Sequence, residues 1–198
     1  MNIQRGLLFT WALLVALLTA WTAMAGAPTD QLQPAVEQVI RTLEDPALKG
    51  PGRSEERQRA LRAVADEIFD WTEMARRALG RHWQDRSPAE QQEFVGLFRA
   101  LIERAYGDRI DQYSGEKVRF AGDTVDGDQA TVRTKVTAKS GQETAVDYRL
   151  LRSGDRWRVY DVAVEGVSLV ANYRTQFNEV IRTSSYAELV KKLKSRTS

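Results

Sequence analysis

Apolar residues recur at three- and four-residue steps through the first half of the chain, which is the spacing of an amphipathic helix. The stretch from Pro34 to Leu43 and the stretch that begins at Ser54 each place these residues on one side. A shorter helix is predicted from Asp70, a cap with Glu73 three residues later, to Gly80. Each of these helices has one face that must be buried.

The clearest helix start is the segment Ser87-Pro88-Ala89-Glu90, which has a serine cap, proline at the first position and glutamate at the third. The apolar positions that follow predict a long helix to about Tyr113. Its broad apolar face includes Phe98, Ile102 and Tyr106. This face is wide enough to contact more than one neighbouring element.

The hydrophobic period changes from about 3.6 to 2 after Ser114-Gly115, which predicts strands. Short turn sequences interrupt the alternation at Asp126-Gly127-Asp128, Ser140-Gly141 and Ser153-Gly154-Asp155. Three tight turns that join four strands predict an antiparallel meander. Because helices precede and follow it, the fold class is α+β, with helices on the concave side of a curved four-stranded sheet.

The stretch from Trp157 to Arg182 predicts the last strand, a pivot at Gly166 and an amphipathic helix. Both faces of the strand carry apolar residues, so the pattern leaves open which face of the sheet lines the interior. Ser185 and Glu188 form a further capping box that starts a last helix.

The first residues have the pattern of an export signal. Arg5 precedes an apolar run from Leu7 to Ala20 and the small-residue sequence Ala23-Met24-Ala25. The run is shorter than the roughly 20 residues of a membrane span. We expect cleavage after Ala25 and a single domain over residues 26–198, mainly helical over 26–113, a sheet over 116–165 and helical over 168–196.

Charge and cysteine content narrow the function classes. The 29 basic and 27 acidic residues nearly balance and are scattered, which argues against a nucleic-acid stripe or a polybasic membrane patch. Cysteine is absent from the sequence, so packing rather than disulfides must stabilise the fold. A thiol nucleophile and a thiolate metal site are excluded.

Candidate chemistry is sparse. His82 is the one histidine, and no motif supplies a nucleophile or an orienting carboxylate, so a packing role is favoured. Asp123, Asp126 and Asp128 flank a turn that Gly127 already explains, and they lack the spacing of a calcium loop. We therefore expect no metal site and no cofactor.

One enzymatic alternative rests on Asp147, Tyr148, Tyr160 and Asp161 in adjacent predicted strands. Neighbours in a strand point to opposite faces, so neither aspartate shares a pocket with the tyrosine beside it. Asp147 and Asp161 share a face, but pairing with an arginine such as Arg149 is the simpler explanation. The protein is therefore not predicted to be an enzyme.

Several segments together, and in this order, resemble the MlaC family of periplasmic phospholipid-binding proteins, also called toluene-tolerance auxiliary proteins. The segments are GRHW, FRALIERAY, YSGEKV, VDGDQATVRT, VDYRL and WRVYDVAVEGVSLVANYRTQF. The resemblance is clearest from Phe69 to Arg196, and the block from Trp157 to Phe177 is its most specific part.

The resemblance implies a fold and a function. The fold is a curved antiparallel sheet with helices around an apolar cavity, related to the cystatin-like or nuclear-transport-factor-like cone. The function is that of a monomeric carrier of diacyl glycerophospholipid between an outer-membrane lipoprotein–porin complex and an inner-membrane ABC transporter, which maintains outer-membrane lipid asymmetry. Two alternatives stay open: an enzyme for a small apolar substrate in the same cone, and a solid-core adaptor that binds other proteins.

If the protein is such a carrier, apolar residues of the sheet, of the pivot and of two helices are expected to line the cavity. These residues are Phe98, Ile102, Tyr106, Val132, Val136, Val146, Tyr148, Val162, Val164, Val167, Leu169, Val170, Tyr173 and Phe177. Arg174, close to the start of its predicted helix, is the candidate for contact with the lipid phosphate.

Overall fold

The computed structural model describes residues 27–50 and 52–197. Within these residues the chain forms six α-helices and five strands. The helices are α1 (Pro28–Glu44), α2 (Ser54–Ile68), α3 (Trp71–Leu79), α4 (Pro88–Asp111), α5 (Leu169–Thr183) and α6 (Tyr186–Thr197). The strands are β1 (Lys117–Asp126), β2 (Gln129–Thr137), β3 (Glu143–Ser153), β4 (Arg156–Val164) and β5 (Val167–Ser168). Within the described ranges, no helix combines the length and the apolar character needed to cross a membrane.

The sheet is an antiparallel meander with strand order β1-β2-β3-β4-β5. The α+β class is confirmed, but the predicted count of four strands is wrong. Glu165 and Gly166 both have positive φ, 49° and 78°, and they turn the chain back so that Val167 pairs with Val164. This pairing makes the two-residue β5, which is too short for an alternating pattern to reveal it.

The predicted caps are confirmed at three helix starts. Asp70 accepts from the backbone N–H of Glu73 at 2.9 Å. Ser87 and Glu90 bond to each other's backbone N–H groups, at 2.8 Å and 3.3 Å. Ser185 accepts from the N–H of Glu188 at 3.1 Å. Local sequence therefore determines where these helices begin.

Helix α1 begins six residues before the predicted Pro34. Both the backbone N–H and the hydroxyl of Thr29 donate to Oδ2 of Asp123 on β1, at 3.0 Å and 2.6 Å. The side chain of Gln31 accepts from the N–H of Trp157 at 2.8 Å. The cap of α1 thus comes from the sheet, and no sequence motif near the start of α1 predicts it.

Two apolar cores lie on opposite sides of β4. The first joins α1 to one face of the sheet, through Leu32, Val36, Ala130, Val132, Leu150, Trp157 and Val159. The second lies among α3, α4, α5 and α6 and includes Phe94, Phe98, Tyr160, Val170 and Phe177. A shift of register between Arg149 and Leu150 leaves Tyr160 unpaired, so Val159 faces the first core while Tyr160 faces the second.

Candidate functional site

The face of the sheet toward α1, here called the inner face, is sealed at one end and open at the other. Its residues near the β2–β1 turn are fully buried, as Val132 and Leu150 show, each at most 1% exposed. Farther along the same strands, Val136 and Tyr148 are half-buried, and Val164 is 39% exposed. Protein atoms therefore cover the inner face less completely on β3 and β4 near Val164, whereas Thr134 on β2, in the same cross-strand row, is 1% exposed.

Tyr148 lies in the middle of this face. It is directly opposite Val132 on one neighbouring strand and Val162 on the other. Burial raises the pKa of its phenol to about 12, although part of the side chain is not covered by protein. Among the described residues, none forms a hydrogen bond with its hydroxyl. Tyr148 is thus deep in an apolar environment and still incompletely packed.

The apolar stripe of helix α2 is also incompletely packed along its whole length. Leu61, Val64, Ala65 and Ile68 are all half-buried, and no residue of α2 is fully buried. Ile68 packs against the first core, as does Ile40 of α1. The sequence pattern predicts these stripes as buried helix faces but does not identify them as site residues. An apolar stripe that packs on a solid core has the same period as one that lines a cavity.

Ion pairs on the protein surface join α2 to α4 beside this face. Arg62 contacts Glu103 at 3.0 Å, and Arg99 contacts Asp66 at 2.8 Å and Glu103 at 2.8 Å. Farther along, the hydroxyl of Tyr113 donates to Glu44 of α1 at 2.9 Å. Polar contacts thus connect α2 to α4, and α1 to Tyr113 just after the end of α4.

The predicted lining residues separate into three groups, apart from Tyr106, which is half-buried on α4. Val132, Val136, Val146, Tyr148, Val162 and Val164 share the inner face. Phe98, Ile102, Leu169, Val170, Tyr173 and Phe177 belong to the second core, and the pKa of Tyr173 is raised by its burial and by nearby Tyr106. Val167 is 66% exposed on β5.

The second core is solid around its aromatic rings. The ring centroids of Phe98 and Phe177 are 6.1 Å apart, and those of Tyr173 and Phe177 are 5.5 Å apart. Phe98 is 0% exposed and Val170 is 3% exposed. The structure therefore packs Phe98, Val170 and Phe177 against other side chains of the second core, whereas Ile102, Leu169 and Tyr173 at its edge are half-buried.

Arg174 is apart from the inner face. With Arg77, Arg149 and Asp161 it lines a pocket of about 130 Å³. Arg149 follows Tyr148 in β3, so the side chains of Arg149 and Tyr148 point to opposite faces of the sheet. Asp161 is directly opposite Arg149 and shares its face. The predicted contact of Arg174 with a lipid phosphate therefore stays a prediction that the inner-face geometry does not support.

Comparison with known proteins connects this architecture to a family. The model of the family described as "MlaC protein" matches residues 33–195. The chain belongs to the MlaC family. A relative described as toluene tolerance protein ttg2D, from Pseudomonas putida, is 23% identical over 182 residues, which are 91% of this chain and 83% of that protein.

Another MlaC relative, from Haemophilus influenzae, is described as an intermembrane phospholipid transport system binding protein. It is 23% identical over 127 residues, 62% of this chain and 59% of that protein. A solved structure of a phospholipid-binding protein from Ralstonia solanacearum, in complex with a phospholipid, superposes with a TM-score of 0.78. It is 27% identical, and the match covers 86% of this chain and 97% of that one.

Two of the side chains considered for catalysis, His82 and Asp161, have structural partners in this MlaC-family protein. Nε2 of His82 lies 3.0 Å from Oδ1 of Asn178, which also accepts from Arg81. Asp161 is 3% exposed and receives hydrogen bonds from Arg149, Ser168 and the backbone N–H of Val170. Among the described residues, no three His, Cys, Asp or Glu side chains are grouped as metal ligands.

Proposed function

We propose that this protein is a periplasmic carrier that holds a diacyl glycerophospholipid between the inner face of the sheet and helices α1, α2 and α4. The carrier takes up the lipid at one membrane complex and releases it at another. In this proposal the sheet and the helices enclose an apolar cavity, and the cone-like curvature of the fold remains a prediction.

The observation that carries the proposal is the environment of Tyr148. A side chain in a packed core is both desolvated and covered, and one on the surface is neither. Tyr148 is desolvated enough to raise its pKa to about 12 and is still only half-buried. An internal apolar space beside the phenol, shaped by Val136, Val146 and Val162, accounts for both facts.

The energetics of the cargo make such a space necessary. Moving one methylene from hydrocarbon to water costs about 0.8 kcal/mol, so two acyl chains with roughly 30 methylenes cost on the order of 20 kcal/mol if left in water. A carrier must therefore cover both chains. The hydrated head group can remain at the open end of the inner face, near Val164, where the exposed fraction reaches 39%.

The proposed transport route follows from the family and from the relatives' descriptions. We propose delivery between an outer-membrane lipoprotein–porin complex and an inner-membrane ABC transporter, with maintenance of outer-membrane asymmetry as the outcome and a monomer as the carrier. The export signal predicted over residues 1–25, with cleavage after Ala25, lies outside the described residues. Periplasmic location is part of the same proposal.

Native mass spectrometry of protein purified without detergent tests the cargo. A mass excess equal to a diacyl phospholipid, together with transfer of labelled phospholipid between vesicles, is expected. A protein with no bound lipid and no transfer activity would instead be the solid-core adaptor. The route is tested separately, by asking whether the loaded protein exchanges lipid with each purified membrane complex.

We propose no catalytic step. The two oxygens of Asp161 are already engaged by Arg149, Ser168 and the N–H of Val170, so this carboxylate is poorly placed to act as a general base. Incubation of bound phospholipid with the protein should leave the lipid intact by mass, whereas time-dependent hydrolysis would favour the enzymatic alternative.

A further inference from the structure

The pocket that Arg174 lines is on the side of β4 opposite the inner face, between α3, the sheet and the start of α5. Its volume is about 130 Å³. Three arginines line it, Arg77, Arg149 and Arg174, and of the described residues around it Asp161 alone is acidic. The pocket is far too small for acyl chains, but its size and charge suit one anionic group.

The carboxylate of Asp161 does not engage all the hydrogen-bond donors of the three arginines in this pocket. Its Oδ2 accepts from Nη1 of Arg149 at 3.0 Å and from the hydroxyl of Ser168 at 2.6 Å, and its Oδ1 accepts from the N–H of Val170 at 3.0 Å. The oxygens are therefore already used by groups in the wall. Arg149 is 42% exposed and retains donors that are not bonded to Asp161.

Arg77 is held in place by two neighbours. Its Nε donates to Glu73 at 2.6 Å, and its guanidinium lies 3.9 Å from the centre of the Tyr160 ring. Glu73 also receives both bonds of Arg76, so one carboxylate serves two guanidinium groups. The remaining donors of Arg77 are thus positioned without being fully neutralised.

Arg174 contributes a third cation that has no hydrogen-bond or ion-pair partner among the described residues. Its aliphatic stem runs beside Gly80, where an added Cβ would come within 3.2 Å of Cδ. Gly80 also has a φ of 59°, which favours glycine. A residue with no side chain therefore leaves room for Arg174 to reach the pocket.

We propose that this pocket binds a single phosphate group. Guanidinium groups match phosphate oxygens in a bidentate geometry, and several arginines around one small pocket favour a compact polyanion over a monovalent carboxylate. This site does not depend on the lipid carrier function, because it uses the other side of β4. The phosphate belongs either to a free anion or to a lipid head group, and the two sources are separable by experiment.

Isothermal titration of delipidated protein with inorganic phosphate, at constant ionic strength, tests the site. Saturable binding is expected, and Arg174→Gln should weaken it by about tenfold to a hundredfold, since hydrogen bonds to charged groups have this strength. The phosphate affinity of Arg174→Lys should lie between the affinities of the wild type and Arg174→Gln. The matched control is Arg182→Gln, which removes an exposed arginine of the same helix that is paired with Glu179 outside the pocket.

Three results would overturn the site: no saturable binding at millimolar phosphate, equal weakening by Arg174→Gln and Arg182→Gln, or acetate binding as tightly as phosphate. Arg174 is exposed, so the glutamine variant should unfold at the same urea concentration as the wild type. If Arg174→Gln does unfold early, Arg174→Lys provides the second variant, because it keeps the aliphatic stem and the charge but loses the bidentate guanidinium; phosphate binding as tight as in the wild type would then overturn the site.

The source of the phosphate is found by repeating the titration with lipid-loaded protein. Unchanged affinity assigns the site to a free phosphate, and loss of binding on loading assigns it to the head group. Lipid transfer between vesicles is measured in parallel. If transfer fails in the wild type while phosphate still binds, the carrier proposal is wrong and the phosphate site stands.

Discussion

Asp161 on β4 accepts a hydrogen bond from the backbone N–H of Val170 at 3.0 Å, so a strand residue caps the helix that follows it. The turn at Glu165 and Gly166 brings the two together by reversing the chain into β5. One buried carboxylate therefore fixes the junction between the sheet and α5, and with it the separation of the two apolar cores.

Asp161→Ala should destabilise the protein by about 2–3 kcal/mol. The change removes a helix cap and leaves the N–H of Val170 and the Arg149 guanidinium without their shared acceptor. The free energy of unfolding in urea measures the effect. Asp147→Ala is the matched control, since Asp147 is on the preceding strand and the same face, and should change stability by less than about 0.5 kcal/mol. Equal losses in the two variants would refute the capping role.

Tryptophan at Val162 and at Val170 should have opposite consequences. Val162 borders the proposed cavity, so Val162→Trp should lower the amount of co-purified phospholipid and change the melting temperature little. Val170 is 3% exposed in the solid core, so Val170→Trp should cost about 1–3 kcal/mol of stability through overpacking. Native mass spectrometry and thermal unfolding measure the two properties. Full lipid occupancy in Val162→Trp would contradict the assigned lining.

Stability should fall at alkaline pH through Tyr148. Its folded-state pKa of about 12 is above the usual value of 10, so the neutral phenol is favoured in the folded protein. The contribution is fully present below pH 10 and is lost as the pH rises toward 12. Between pH 9 and pH 11 this one group should lower the free energy of unfolding by about 1 kcal/mol.

Comparison of wild type with Tyr148→Phe isolates this dependence. The phenylalanine variant lacks the ionisable hydroxyl, so its stability should decrease less over the same pH interval. Urea unfolding at pH 9, 10 and 11 provides the measurement. Parallel curves for the two proteins would show that Tyr148 is not desolvated in the folded state.

Removal of the Asp123 carboxylate should loosen the start of α1. Asp123→Ala leaves the N–H and the hydroxyl of Thr29 without their acceptor, and we expect a loss of about 1 kcal/mol. Thr29→Ala removes only the hydroxyl, so its effect should be smaller. Hydrogen exchange at residues 30–33 should become faster in Asp123→Ala than in Thr29→Ala, and identical exchange in both would contradict the distant cap.

Much of the secondary structure is readable from short stretches. The capping boxes at Ser87 and Ser185 act over three residues, and the change of period after Gly115 separates helix from strand. The family could also be recognised, because motifs from Gly80 to Phe177 keep their order. By contrast, β5 has two residues, and no pattern of period 2 can be detected over so short a length.

The site was predicted less well than the fold. Val136, Val146, Tyr148 and Val162 share one face because strand alternation requires it, and this grouping follows from sequence. Phe98 and Phe177 have equally apolar surroundings in the sequence but pack 6.1 Å apart in a filled core. Periodicity shows that a face is apolar; it contains no information about how closely the opposite element approaches.

The sequence by itself determined most of the helices, the meander, the caps at Asp70, Ser87 and Ser185, and the family, because these hydrogen bonds and hydrophobic periods act between residues close along the chain. Only the tertiary structure decided which face of β4 meets which helices, where the inner face is left uncovered, and which arginines meet beside Asp161. These features depend on contacts across the chain, such as the 94 residues between Thr29 and Asp123, that no local pattern records.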